Sequence, residues 1–485
     1  MKVSFSFSLF FSFLHSLVLG IACSMPFGLC AQVKTASLFT DNMVLQQKSK
    51  TPLWGWAAAG KTISVTPSWN KKSFSAKAGS DGKWKVLLET PTAGGPYQIS
   101  ITGDGSLHLK NVLIGEVWIC SGQSNMEMPM KGFKGQPIAG SNSAILHSTN
   151  KNIRLYTVPR GASTTPLDNS KPSAWKEAEP ETVSNFSATA YYFGKDLEAL
   201  LNVPIGLINV SYGGSPVESW MNAEMLQGFD GITVPGPNDS IKSPNRTPTA
   251  LYNGMLHPVT GYGIRGMIWY QGESNYDRPD QYEKLFPMAV KQWRQEWGAG
   301  DFPFYFVQIA PYNYAQLPPY QVGGKYNSAY LRDAQRKSVA QIPNAAMAVL
   351  LDKGEEANIH PAHKQEAGER LALLALAKTY GFKGFGAESP SYDTMVVANG
   401  IAEVKFSHAT NWLTSYGKEL SLFEIAGKDK QFHPAKAVIN RSSVMVSSPV
   451  VKEPVAVRYA FRDFTTAELF STEGLPVSSF RTDNW

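Results

Sequence analysis

Polar clusters at four places in this chain hold the residue types that acyl transfer requires. They are Ser121-Gly122-Gln123-Ser124-Asn125-Met126, Ser211-Tyr212-Gly213-Gly214-Ser215, Gln271-Gly272-Glu273-Ser274-Asn275, and the segment from Asp352 to His360-Pro361. Acyl transfer needs a nucleophile, a base, and donors for the developing oxyanion. A serine at a strand–helix turn is exposed, and its own amide can point at the reacting carbonyl. Glycines in a second loop let another backbone amide approach closely, because no Cβ intervenes. A glutamine or asparagine amide can give a third donor, and a histidine from a later loop can take the serine proton. The chain holds a candidate for every role, in the order serine, glycine, amide, histidine. Taken singly, each cluster has a plainer reading: a serine N-cap, a tight glycine turn, a helix start at His360-Pro361. Their joint placement after successive apolar strands favours chemistry, since ligands of an open α/β sheet bind at the carboxyl ends of its strands.

The elements that must position these clusters follow from hydrophobic patterning. Apolar strands at 112–120, 205–210, 266–270, 304–309 and 346–351 alternate with amphipathic helices at 188–201, 279–297, 329–342 and 364–380. Such alternation predicts an α/β domain whose parallel sheet is covered on both faces. From 32 to about 109 the pattern is instead short strands and turns, punctuated by Asp81-Gly82 and Gly94-Gly95-Pro96. After about Pro390 strand character returns. The expected organisation is a leader at 1–31, an N-terminal β domain at 32–110, the α/β domain at 111–390 and a C-terminal β domain or subdomain at 391–485. Both β regions are expected to be sandwich-like. The stretch 231–248 is rich in Pro, Asn and Ser and reads as a long loop, a feature often tied to function.

The 485 residues are too many for one typical core. The composition is that of a folded protein, 43% hydrophobic and 17% charged, with aromatics at 12%. The formal net charge of +6 is small for this length. Scattered Lys and Arg give no basic run for nucleic acid or an anionic membrane. Lys2 precedes an apolar stretch from Phe5 to Cys23, and a cleavage site is expected after Ala31. That pattern reads as a secretory signal peptide, so the protein is expected to be exported to the periplasm or outside the cell. No later stretch reaches the roughly 20 apolar residues that span a bilayer. Of the 3 cysteines, Cys23 and Cys30 fall in the leader, which leaves Cys120 as a buried small hydrophobe.

Several motifs together carry a family resemblance. They are Phe39-Thr40-Asp41-Asn42-Met43-Val44-Leu45-Gln46, Trp54-Gly55-Trp56, Trp118-Ile119-Cys120-Ser121-Gly122-Gln123-Ser124-Asn125-Met126, Leu251-Tyr252-Asn253-Gly254-Met255-Leu256-His257-Pro258 and Trp269-Tyr270-Gln271-Gly272-Glu273-Ser274-Asn275. Ile359-His360-Pro361 with Lys364, Gly368, Arg370 and Leu371, then Gly474-Leu475-Pro476 and Ser479-Phe480-Arg481, complete the set. In this order they resemble the sialate O-acetylesterase family of the SGNH (GDSL-like) hydrolases. The resemblance implies a three-layer α/β/α domain. It also implies Ser124 as nucleophile, His360 as general base, and an oxyanion hole from Ser124, Gly213 or Gly214, and the amide of Gln271 or Asn275. Gln271 is the first choice because it directly follows its strand.

One position departs from the family pattern. These enzymes usually carry an aspartate two or three residues before the histidine, where this chain has Asn358 and Ala357. The imidazole is then oriented by Asn358, by a backbone carbonyl, or by a carboxylate such as Asp352, whose place at a strand end also suits a structural role. A Ser–His dyad is expected. His257, His360 and His363 lack zinc-ligand spacing, there is no phosphate loop or dinucleotide fingerprint, and no metal or cofactor is expected. The expected substrate is an O-acetylated carbohydrate, first of all O-acetylated sialic acid. Acetylated xylan or another polysaccharide, or a catalytically dead glycan-binding homologue, are the alternatives.

Overall fold

A computed structural model of the chain describes residues 32–317 and 327–485. The leader, with Cys23, Cys30 and the cleavage site expected after Ala31, lies outside the described residues. The fold is mixed α/β, built on a mixed sheet with additional β sheets from the N- and C-terminal stretches.

The organising element is β1, an unbroken strand from Gly105 to Gly122. Its first half forms a hairpin with Gly94–Gly103, and Val44–Gln46 pairs parallel to Leu113–Gly115. Its second half enters the central sheet. The strand expected at 112–120 is thus part of a longer one that runs straight through 110/111. Six more strands complete the central sheet: β2 (Asn150–Thr157), β3 (Lys176–Ala178), β4 (Ile205–Ser211), β5 (Gly266–Tyr270), β6 (Phe304–Val307) and β7 (Ala345–Ala348). Their order is β3-β2-β4-β1-β5-β6-β7. Every neighbouring pair is parallel except β3 with β2.

The side-chain period of two divides these strands between two cores. Val117, Ile119, Met267, Trp269, Phe304 and Phe306 face one core; Trp118, Cys120, Ile268, Tyr270, Tyr305 and Val307 face the other. The helices that bear on the central sheet are α1 (Ser124–Glu127), α2 (Ala188–Leu201), α3 (Pro279–Trp297), α4 (Ala329–Gln341) and α5 (Lys364–Lys378). α3 and α4 cover the first face, while α2 and α5 cover the second. On α3 the buried Tyr282, Leu285, Phe286, Ala289, Val290 and Trp293 recur at helical spacing, and burying each larger one contributes about 1.5–3 kcal/mol. Cys120 is a fully buried free thiol within this packing. Among the described residues, no helix is long and apolar enough to cross a membrane.

The C-terminal strands are fastened to the core through Arg332 of α4, which is wholly buried. It donates to Ser479 Oγ at 3.1 Å and to the carbonyls of Ala460, Arg462 and Asp463. The stretch 231–248 carries no helix or strand, in keeping with its reading as a long loop.

Gly122, the last residue of β1, has φ +141°. A Cβ there would stand 2.1 Å from the Tyr270 carbonyl oxygen. Gly122→Ala must therefore push β1 and β5 apart immediately before Ser124. The expected outcome is a loss of about 2–4 kcal/mol of unfolding free energy, read from a urea melt. An unchanged midpoint would contradict this account of the strand end.

Candidate active site

β1 lies between β4 and β5, and the chain visits opposite sides of it in turn. The crevice at the carboxyl end of β1 is thus a topological switch point, where α/β sheets bind ligands. The loops that follow all three strands are tied together there. Gln123 N–H donates to the Tyr270 carbonyl at 3.0 Å, and Tyr212 N–H donates to the Gly122 carbonyl at 3.1 Å. Gln123 Oε1 accepts from the backbone N–H groups of Gly272 at 3.3 Å and Ser274 at 3.2 Å. Ser124 follows as the first residue of α1, so its N–H has no partner inside the helix. Its side chain is partly exposed in a cleft of about 340 Å³ that Gly213, Gly214, Arg246, Asp277 and His360 also line.

Gly213 packs on the nucleophile turn: a Cβ at this position would come 3.4 Å from Ser124 Cβ. Its N–H donates to Glu127 Oε2 at 2.8 Å, and Glu127 is paired with Arg160 at 2.6 Å. Gly214 takes φ +72°, a conformation suited to glycine. Asn245, from the long loop, donates to the Gly213 carbonyl at 2.8 Å.

The imidazole of His360 is held by a residue that sequence reading missed. His360 Nδ1 lies 2.8 Å from Gln136 Oε1, and the Phe133 ring meets the imidazole edge to face at 5.3 Å. An amide oxygen only accepts, so this contact puts the proton on Nδ1 and leaves the Nε2 lone pair for a hydroxyl. Burial, and then the charge of nearby Lys364, depress the His360 pKa to about 4.

Beneath the cleft runs a buried polar junction. Asn125 Nδ2 donates to Glu273 Oε1 at 2.5 Å and to the Ile359 carbonyl at 3.1 Å. Lys364 Nζ donates to Asn125 Oδ1 at 2.5 Å and to the Pro361 carbonyl at 2.9 Å. Burial pushes the Lys364 ammonium down to about 7, opposed by Glu273 and Glu355. Burial likewise raises the Glu273 carboxyl, against the hydrogen bond from Asn125 and the charge of Lys364.

Other expected residues are placed differently. Neither Asn358 nor Asp352 reaches the imidazole. Asn358 Oδ1 accepts from the His360 backbone N–H at 3.1 Å and so shapes the loop. Asp352 is held by Arg370 in a two-pronged pair at 2.6 and 2.7 Å. Glu355 accepts from the Ala362 N–H at 2.6 Å, again within the loop. Gln271 and Asn275 are wholly buried. Gln271 Nε2 spends its hydrogens on the Ser215 carbonyl at 3.1 Å and Asn275 Oδ1 at 2.7 Å. Asn275 Nδ2 donates to Glu218 Oε2 at 2.9 Å. These amides brace the loop after β4 and turn away from the cleft.

Residues 114–377 match the family of carbohydrate esterases described as sialic acid-specific acetylesterases. The human sialate O-acetylesterase is 31% identical over 395 residues, 73% of this chain and 72% of the human one. The mouse sialate O-acetylesterase is 27% identical over 492 residues, 88% of this chain and 89% of its own. A carbohydrate acetylesterase of solved structure from Xanthomonas citri is 35% identical and superposes with a TM-score of 0.84, covering 93% of this chain and all of its own.

The Gln136 contact makes two opposite expectations. Gln136→Leu removes the acceptor that fixes the imidazole and should lower kcat by roughly 10²-fold or more. Gln136→Glu places a carboxylate at Nδ1, which stabilises the imidazolium and raises the His360 pKa from its depressed value of about 4. Because the base works only when neutral, the acidic limb of kcat/KM should move to higher pH in that variant. A pH–rate series on ester hydrolysis checks both; full activity in Gln136→Leu would remove Gln136 from the site.

Proposed function

The chain belongs to the sialic acid-specific acetylesterase family of carbohydrate esterases, and from that premise we propose a Ser124–His360 mechanism acting on O-acetylated sialic acid. Family membership makes it a carboxylic ester hydrolase of O-acetylated carbohydrate. The observation that carries the finer reading is the shared cleft of Ser124 and His360, with the imidazole tautomer set by Gln136.

In the proposed mechanism Ser124 Oγ attacks the acetyl carbonyl while His360 Nε2 takes its proton. The Ser124 N–H and the Gly214 N–H accommodate the oxyanion, since the Gly213 N–H is already committed to Glu127. Collapse of the tetrahedral intermediate breaks the bond to the sugar oxygen, which leaves as a hydroxyl with the proton from His360. Water then attacks the acetyl-Ser124 ester with His360 again as base, and acetate departs. No metal takes part in any of these steps. The surrounding core is proposed to be the three-layer α/β/α arrangement of SGNH hydrolases, with helices on both faces of its sheet as support. The leader is proposed to direct export to the periplasm or beyond.

Arg246 on the cleft wall supports an acidic sugar, because a guanidinium can receive the carboxylate of sialic acid. A neutral polysaccharide such as xylan is the second reading, compatible with the Xanthomonas citri relative, a carbohydrate acetylesterase. Ser124→Ala is expected to lower turnover by roughly 10³-fold or more while the fold persists, and chelators should leave the wild type active. Acetate release from a panel of O-acetylated sialic acids and xylo-oligosaccharides separates the two substrates. A preference for xylo-oligosaccharides that Arg246→Ala leaves untouched would overturn the sialic acid reading.

A further inference from the structure

A cleft rich in aromatic side chains lies apart from the one that holds Ser124. It encloses about 620 Å³ between the N-terminal strands and the segment that precedes β5, and shares no lining residue with the Ser124 cleft. One wall is a strand pair, Lys50–Trp56 with Lys83–Glu89, in which Trp54 stands opposite Lys85 and Trp56 opposite Lys83. The period of two puts these four side chains on one face. Both indoles are partly exposed there, and the two lysines are exposed. The opposite wall brings Tyr252, His257 and Glu296. Glu296 lies in the last turn of α3, and Gly261 lies just before β5, so this cleft opens near the amino end of β5 while Ser124 lies beyond the carboxyl end of β1.

An independent observation points to a ligand. Glu296 Oε1 accepts from Tyr252 Oη at 2.7 Å, while its Oε2 is buried without a donor. Buried polar atoms without partners are uncommon, and leaving one unmet costs about 1–3 kcal/mol. Here an acceptor is unmet on the cleft wall. A sugar hydroxyl both donates and accepts, and the C–H face of a pyranose covers an indole ring.

We propose that this cleft is a second, non-catalytic carbohydrate site, which binds a short oligosaccharide segment of the glycan on Trp54 and Trp56. The proposal rests on the reading that the substrate is a glycan. Holding one part of a long substrate here raises the local concentration of its acetyl groups at Ser124, without a new contact to the ester.

Two measurements test it. In the first, Ser124→Ala protein is titrated with sialyllactose and with xylohexaose, followed by tryptophan fluorescence. A saturable change with either sugar, lost or weakened at least tenfold when Trp56→Ala is added, is the expected result; the same titration with and without Trp56→Ala would overturn the proposal. In the second, acetate release from an O-acetylated polysaccharide is divided by turnover of p-nitrophenyl acetate. This ratio should fall about tenfold in Trp56→Ala through a raised KM, and recover in large part in Trp56→Phe, which keeps a ring. An equal ratio in all three proteins would also overturn the proposal. If the wild type cleaves p-nitrophenyl acetate but releases no acetate from any glycan, the substrate reading fails, and the fluorescence titration alone decides the cleft.

Discussion

Asn125 stands between a buried carboxylate and a buried ammonium, and the geometry of the cleft depends on it. Its NH₂ donates to Glu273 and its oxygen accepts from Lys364. Taking either charge out of water alone would cost several kcal/mol. The amide offers each the group it needs, an N–H to Glu273 Oε1 and an oxygen to the Lys364 ammonium. The participants come from three loops: Asn125 follows Ser124, Glu273 follows β5, and Lys364 begins the helix after His360. Asn125 also donates to the Ile359 carbonyl, one residue before the base. None of the three loops can settle elsewhere without leaving a buried charge or amide unpaired. Ser124 and His360 are therefore held in register by this buried junction.

The same economy joins the cleft to the rest of the fold. β1 begins in the N-terminal β sheet and ends at Gly122, so the strand that carries the nucleophile turn is rooted outside the central sheet. Its register is pinned at Glu116, which is 1% exposed. Glu116 accepts from Arg265 at 2.6 Å, Gln47 at 2.7 Å and Tyr380 Oη at 2.9 Å. A slip of one residue would send every side chain of β1 to the wrong face and tear this buried carboxylate from its partners. The N-terminal stretch thus contributes to the site by fixing a strand, at a distance from the reacting groups.

The legible parts of the sequence were those where one local signal decides the outcome. β4 and β5 are largely apolar runs buried on both faces, and α2 to α5 were marked by helical spacing, so their positions could be read directly. Ser124 and His360 were read as adjoining a strand end and a helix start, and they lie there on one cleft. β2 was not legible, because its pattern is broken by Arg154, a charged residue that is 2% exposed and paired with Glu177 across to β3 at 3.2 Å. Gln271 misled for a related reason: an amide after a strand serves an internal hydrogen bond as readily as an oxyanion. Asp352 and Asn358 are near His360 in sequence, but Arg370 and the loop backbone claim them first. Gln136 gave no signal at all, since it lies in an irregular loop 224 residues away from the histidine it touches.

That distant glutamine changes what the histidine can be. A carboxylate at Nδ1 would do two jobs: fix the tautomer and stabilise the imidazolium formed when the serine proton arrives. A glutamine oxygen does the first and contributes little to the second. Lys364 acts in the same direction as the missing charge, because a cation near the ring opposes a second one on it. The imidazole therefore stays neutral well into acidic conditions, where an acid-assisted histidine would be partly protonated. In the mechanism proposed above, a weaker base takes the serine proton less readily, which leaves more of the barrier to the backbone donors at the oxyanion. Those donors do not titrate. In the proposed mechanism the arrangement exchanges peak basicity for a rate that persists as the surroundings acidify.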